Sequence, residues 1–201
     1  MVVVPAAQEA AALNEIKNDP DVASVERDYP SFALALPNDK YFHVQYGLHN
    51  TGQKIEVFGV TTTNDVDIDA PEAWEKTEGG VKVAVIDSGI EKNHPDLKGK
   101  VVGSKNFTSL PDGDKFGHGT AVAGVIAATT NNNDGIAGVC PKCTLLDAKV
   151  LDDTGKTESQ ESMADAIHWA VDEGAQIINM SVGSFGTSSV LEEAVDYAWN
   201  K

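Results

Sequence analysis

The chain has 201 residues, 41% hydrophobic and 23% charged, which is enough apolar material to bury a core within one domain. Its formal net charge of −16 argues against nucleic acid or an anionic membrane surface as partner, since both would repel it. No stretch reaches the apolar length of a membrane span, and the opening Met1-Val2-Val3-Val4-Pro5 lacks both the basic start and the apolar run of an export signal.

Residues 6–17 place Ala, Leu and Ile along one side of a helical repeat that stops at Asn18-Asp19-Pro20, which predicts a helix. Val22–Arg27 has strand-like composition, residues 31–38 read as a linker, and residues 67–74 (DIDAPEAW) as a short helix. The chain is organised around residues 83–90, VAVIDSGI. β-Branched residues and alanine before Asp87 have the composition of a strand buried on both faces, and Ser88-Gly89 breaks that strand as the acid is reached. In open α/β sheets, ligands bind at this end of a strand. Thirty-one residues later Gly117-His118-Gly119-Thr120 opens a small-residue helical pattern. An aspartate that accepts from a histidine's Nδ1 fixes its tautomer and leaves Nε2 free to activate a nucleophile. Taken singly, Asp87 also reads as the cap of its own turn and His118 as an ordinary half-buried histidine.

Residues 144–151 then read as a strand, and Thr157-x-x-Gln160 as the cap of a helix with Met163, Ala166, Ile167, Ala170 and Val171 on one face and Gly174 at its end. Residues 177–182 read as another buried strand. Ser189-x-x-Glu192 opens a last helix with Leu191, Ala194, Val195 and Ala198 inward. Strand and helix alternate throughout, so the expected class is α/β, a doubly wound, mostly parallel sheet with helices on both faces.

VAVIDSGI and GHGTAVAG together resemble the aspartate and histidine boxes of the subtilisin-like serine proteases. NHPDLKGKVV (93–102), NNNDGIAGVCP (131–141), LLDAKVL (145–151) and IINMSVGS (177–184) match that family in order, and are most similar to its thermitase-like branch. The resemblance implies a serine endopeptidase acting on polypeptides, with Asp87 and His118 catalytic. It makes residues 37–201 the amino-terminal part of the catalytic domain and residues 1–36 the end of an α+β propeptide that acts as an intramolecular inhibitor. Processing is then expected after one of Ala33 to Leu36. Substrate-binding walls carry over to Gly155, Ser181, Val182, Gly183 and Ser184. A structural calcium site carries over to Asp39, Asp96 and Asn132 by side chain, and to Thr129, Asp134 and Ile136 by backbone carbonyl. His49 and His94 are taken as structural. The family's histidine after GHGT is Ala121 here, a change expected to alter packing and spare the chemistry.

By the same resemblance, the oxyanion asparagine and the nucleophilic serine belong beyond Lys201. The chain is therefore expected to be an incomplete, inactive part of a secreted zymogen, poorly stable on its own because a shortened sheet exposes an edge. The rival readings are a non-catalytic peptide-binding homologue and a doubly wound nucleotide-binding or phosphoacceptor domain. The latter has no phosphate-cradling glycine motif to support it. The two cysteines lie in Cys140-Pro141-Lys142-Cys143. A zinc site would need a second pair and a thioredoxin-like motif a following helix, so the favoured reading is a short loop disulfide formed in an oxidising compartment, against two inert thiols.

Overall fold

The computed structural model describes residues 4–25, 36–56, 59–183 and 186–201. The chain divides into two units, Met1–Leu34 and Ala35–Lys201.

In the first unit a 3-10 turn, Ala6–Gln8, runs into α1 (Glu9–Lys17), as the periodicity predicts. The Asn18 amide closes the helix on the carbonyls of Glu15 and Ile16. None of the α1 side chains is fully buried. The strand expected over Val22–Arg27 is not formed at 22–25, where the Val22 amide instead donates to the Asp19 carbonyl. An extended segment becomes a strand only when a neighbour pairs its N–H and C=O groups, and among the described residues none does. Residues 26–27, and 31–35 of the expected linker and processing segment, lie outside the described residues.

The second unit opens with a 3-10 turn at Phe42–Val44, the antiparallel pair β1 (Lys54–Ile55) and β2 (Val60–Thr61), and the expected short helix α2 (Ala70–Trp74). The body of the unit is a four-stranded parallel sheet in the order β4-β5-β3-β6, built from β3 (Lys82–Asp87), β4 (Val101–Asn106), β5 (Thr144–Lys149) and β6 (Ile177–Asn179). β3 pairs on both edges, and Val83 to Asp87 are all buried, which is why its sequence reads as a continuous apolar run. Side chains alternate across the sheet. Val83, Val85 and Leu145 pack with Ala123 and Ala127 of α3 (His118–Ala127). On the opposite face, Ile86 and Ala148 pack with Met163, Ala166 and Ile167 of α4 (Gln160–Asp172) and Ala194 of α5 (Ser189–Trp199).

Four details differ from expectation. The strand over 177–182 is only three residues long and half-exposed, because β6 pairs with β3 on one side and has no neighbour on the other among the described residues. α4 is capped by Ser159, whose Oγ accepts from Ser162 N, while Thr157 donates to the Ser159 carbonyl. α5 is capped by Ser188, whose Oγ accepts from Leu191 N. Its inward stripe is Leu191, Ala194 and Ala198, and Val195 turns to solvent.

Candidate active site

Strand alternation puts Asp87 on the α3 face, one step beyond Val85. Ser88 and Gly89 leave the ladder there. Gly89 has φ 107°, and a Cβ on it would lie 2.9 Å from the Gly113 carbonyl oxygen, so the turn that ends β3 needs glycine. α3 starts at His118, directly after Gly117 in the left-handed region. The helix then packs so closely on the end of β3 that a Cβ on Gly119 would fall 2.2 Å from the Gly89 oxygen.

That approach brings His118 Nδ1 to 2.7 Å from Asp87 Oδ1, an oxygen that also accepts from Ser88 N at 2.7 Å. The Asp87 side chain is fully buried and that of His118 is 41% exposed. One end of the pair is therefore dry and the other opens outward. With Nδ1–H donated to Asp87, Nε2 is the ring atom able to accept a proton.

His118 lines a cleft of about 530 Å³ that also includes Phe116, Gly155, Ser181, Val182 and Gly183. Four of the five residues expected to form the substrate walls thus share a cavity with the expected base, and Ser184 lies outside the described residues. Gly155 has φ 80°, and a Cβ there would meet the Phe116 ring at 2.7 Å, so a side chain at 155 would displace the aromatic wall. Ser181 Oγ accepts from Asn179 Nδ2 at 2.9 Å.

The residues expected to hold calcium gather around the loop 129–136. Asp39 and Asp96 are both buried. Asp39 Oδ2 accepts from Asn131 N at 2.8 Å, and Asp96 accepts from Asn132 Nδ2 at 2.7 Å and Ile136 N at 2.9 Å. Thr129 N donates to the Asp96 carbonyl, and Asp134 N to Asn132 Oδ1. Asp39 Oδ1 is buried without a hydrogen-bond partner among the described residues, an orphan that a cation would satisfy. Carboxylate, amide and backbone carbonyl oxygens are the hard donors that calcium prefers, and these hydrogen bonds tie both carboxylates to the loop. Among the described residues no three His, Cys, Asp or Glu side chains form a group that could hold a metal ion. His49 stacks on Phe42, and His94 Nδ1 accepts from Asp96 N at 3.3 Å, so both have structural contacts.

The sequence pattern of the subtilase family matches residues 78–201, more than half the chain. The chain belongs to the subtilase family. Thermitase of Thermoactinomyces vulgaris is 44% identical to it over 170 residues, which is 82% of this chain and 54% of that protein. The thermophilic serine proteinase of Bacillus sp. (strain AK1) is 39% identical over 196 residues, 95% of this chain and 44% of the relative. Subtilisin E of Bacillus subtilis (strain 168) is 37% identical over 190 residues, 93% and 43% respectively. The chain spans about half the length of the curated relatives it matches. Both the parallel α/β architecture and the thermitase-like resemblance are thereby established for this subtilase. Family membership overturns the phosphoacceptor reading, and the reason is physical: the Asp87 carboxylate is buried, with Oδ1 committed to His118 and Ser88.

Three features of this subtilase escaped sequence reasoning. Lys149 is buried at the end of β5, and its Nζ donates to the Ser88 carbonyl at 2.7 Å. Phe116, two residues before His118, supplies an aromatic cleft wall. Asp114 accepts hydrogen bonds from four groups around His118. Burial pushes the Asp114 carboxyl up, but the bonds from Thr120, Gly117 and Ser88 outweigh it and hold the group below the usual carboxylate range. Its signal in the sequence was an aspartate three residues before a turn glycine, a spacing that fits a local side-chain cap. Cys140 and Cys143 form the expected disulfide, against which Gly79 packs at φ 84°.

Proposed function

We propose that this subtilase is a serine-type endopeptidase, with Asp87 and His118 as two members of an Asp-His-Ser triad. The observation that carries the reading is the 2.7 Å contact between His118 Nδ1 and a buried Asp87 at the mouth of a peptide-sized cleft. In this mechanism Nε2 of His118 takes the serine hydroxyl proton as the oxygen attacks the peptide carbonyl, and returns it to the leaving amine. Asp87 keeps the tautomer and stabilises the imidazolium between those steps. The substrate lies extended along Gly155 and Ser181 to Ser184, where main-chain hydrogen bonds give affinity and side-chain pockets give selectivity.

The nucleophile and the oxyanion asparagine belong outside residues 1–201. Ser88 Oγ is engaged with Asp114 and Gly119, and Ser181 Oγ with Asn179, so neither serine is offered to His118. Residues 1–201 alone are then inactive. Calcium would be held by Asp39, Asp96 and Asn132, with the carbonyls of Thr129, Asp134 and Ile136. When bound, it would neutralise two buried carboxylates and tie the 129–136 loop to the segment carrying Asp39. Residues 1–36 act as the end of an inhibitory propeptide, a role supported by the separation of Met1–Leu34 as a unit and by a relative aligned over 95% of the chain. Secretion is supported by the disulfide, which persists in oxidising compartments. Two relatives named as intracellular serine proteases mark the alternative.

The test is fluorophosphonate labelling of the protein from its native source, followed by peptide mapping. We expect a labelled serine on a peptide outside residues 1–201, with labelling lost in His118→Ala. Label on a serine within 1–201, or label unaffected by His118→Ala, refutes the reading.

A further inference from the structure

Asp87 and His118 stand on different elements, so a 2.7 Å hydrogen bond between them requires the start of α3 to be fixed to within a fraction of an ångström. Local sequence opposes this. His118 sits between two glycines, the least restrained of residues, and the N-cap Gly117 has no side chain to hold the amides of the first turn.

One carboxylate supplies what the helix start lacks. Asp114 Oδ1 accepts from Gly117 N at 2.8 Å and from Ser88 Oγ at 2.9 Å. Asp114 Oδ2 accepts from Thr120 N at 2.9 Å and Thr120 Oγ1 at 2.6 Å. The links continue outward: Ser88 Oγ accepts from Gly119 N at 2.9 Å, and Thr120 Oγ1 accepts from Glu91 N at 2.9 Å. Residue 119 is thus tied directly to the hydroxyl of Ser88, the residue that follows Asp87, and residues 117 and 120 are tied to that hydroxyl through the Asp114 carboxylate. Ser88 has no slack of its own, since its amide is on Asp87 Oδ1 and its carbonyl on Lys149 Nζ.

We propose that Asp114 is a positioning residue that sets the His118 ring on Asp87, acting through Ser88, Gly117 and Thr120. The proposal rests on the endopeptidase reading above and assigns that site a member beyond the triad. An exposed-turn role alone would not need one carboxylate to bond both the β3 end and both flanks of the histidine.

The test is an NMR measurement of the Nδ1 proton of His118 in the 201-residue chain labelled with 15N-histidine, with the resonance assigned by its loss in His118→Ala. In the unmutated chain a far-downfield Nδ1–H signal is expected. In Asp114→Ala this signal should vanish, or exchange with solvent should speed by roughly tenfold or more as the pair opens. The resonances of His49, stacked on Phe42 away from this network, should stay in place as the fold control. Asp114→Asn keeps one acceptor oxygen and should give an intermediate exchange rate. Thr120→Val, which removes one hydroxyl at nearly constant shape, should give a smaller acceleration and carries the test if the alanine variant fails to fold. An unchanged Nδ1–H signal in a folded Asp114 variant overturns the positioning role and leaves the triad reading standing. Absence of the signal in the unmutated chain, with the His49 resonances of the folded protein present, overturns both.

Discussion

Gly119→Ala reverses the sign that helix propensity alone would give. In an unencumbered helix interior the change gains about 1 kcal/mol, because glycine has more backbone freedom to lose. Here the new Cβ would lie 2.2 Å from the Gly89 oxygen, 3.1 Å from Asp87 Cβ and 3.2 Å from Asp87 Oδ1. The first of these is backbone, in a turn itself pressed on Gly113, so no flexible side chain can swing aside. Relaxed carbon-to-oxygen contacts start near about 3.3 Å, which requires α3 to retreat by roughly 1 Å. Overpacking of this kind costs about 1–3 kcal/mol, and a rigid obstacle places it at or above the upper end. After subtraction of the propensity gain, the variant should lose about 2 kcal/mol. Urea titration should show a lower midpoint with unchanged slope, and the melting temperature should fall by about 4–8 °C. The same retreat would stretch the 2.7 Å His118–Asp87 bond out of range, so the downfield Nδ1 proton should be lost together with the stability. A Gly119→Ala chain as stable as the parent, with that proton intact, would refute the packing argument.

Three further outcomes are expected. Calcium at about 100 times its dissociation constant should raise stability by about 2.7 kcal/mol over chelator-treated protein, with the increment absent in Asp96→Asn; an equal increment in that variant would sink the assigned ligand set. Burial pushes the Asp147 carboxyl up, against the Ser104 hydrogen bond and the nearby Lys92, and its Oδ1 has no partner among the described residues. A raised folded value means that its favourable contribution is present below the ordinary carboxylate range and is lost as pH rises through the raised value. Asp147→Asn should therefore be more stable than the parent at about pH 7 and lose that advantage towards about pH 4, whereas a pH-independent difference in urea midpoints would count against the cause. Reduction of Cys140–Cys143, or replacement of both by alanine, should cost about 2 kcal/mol because the closed loop is so short, and unchanged melts in reductant would show that the clip is dispensable.

What could be read in advance was whatever short windows determine. VAVID announces a strand covered on both faces because burial on both sides removes the alternation of a surface strand. GHGT announces a helix start, and the glycines beside the histidine are required by approaches of 2.2 Å and by φ 89°. What failed depended on neighbours remote in sequence. Residues 177–182 have the same apolar content in an edge strand as in a central one, and the lack of an outer neighbour among the described residues cut the ladder to three residues. The helix caps slipped by one or two residues because Thr157, Ser159, Ser188 and Ser189 are all competent hydroxyls, and the backbone path decides which one meets an amide. Val195 is apolar at helical spacing but falls on the flank of a stripe already filled by Leu191, Ala194 and Ala198. Asp114 was invisible as a site member because its value lies in meeting Ser88, 26 residues earlier.

The two halves of the candidate site are held by unequal means, and this has a functional consequence. The Asp87–Ser88 peptide is gripped from three directions: Val150 N and Leu151 N donate to the Asp87 carbonyl at 2.8 and 3.1 Å, Lys149 Nζ holds the Ser88 carbonyl, and α3 closes over the top through Gly119 and His118. Each grip comes from an element seated in the buried core, so the acid–base pair inherits the rigidity of the β3–β5 ladder. The opposite wall, Ser181 to Gly183, continues from β6, a three-residue strand that pairs only with β3 among the described residues and whose Ile177 is half-exposed. Under the proposed endopeptidase function, rigidity falls where proton transfer would demand sub-ångström alignment, and compliance where an extended peptide would be laid in. Substitutions in 181–183 should therefore change peptide affinity while leaving the His118–Asp87 bond intact, whereas substitutions around Gly119 and Ser88 should disturb that bond first.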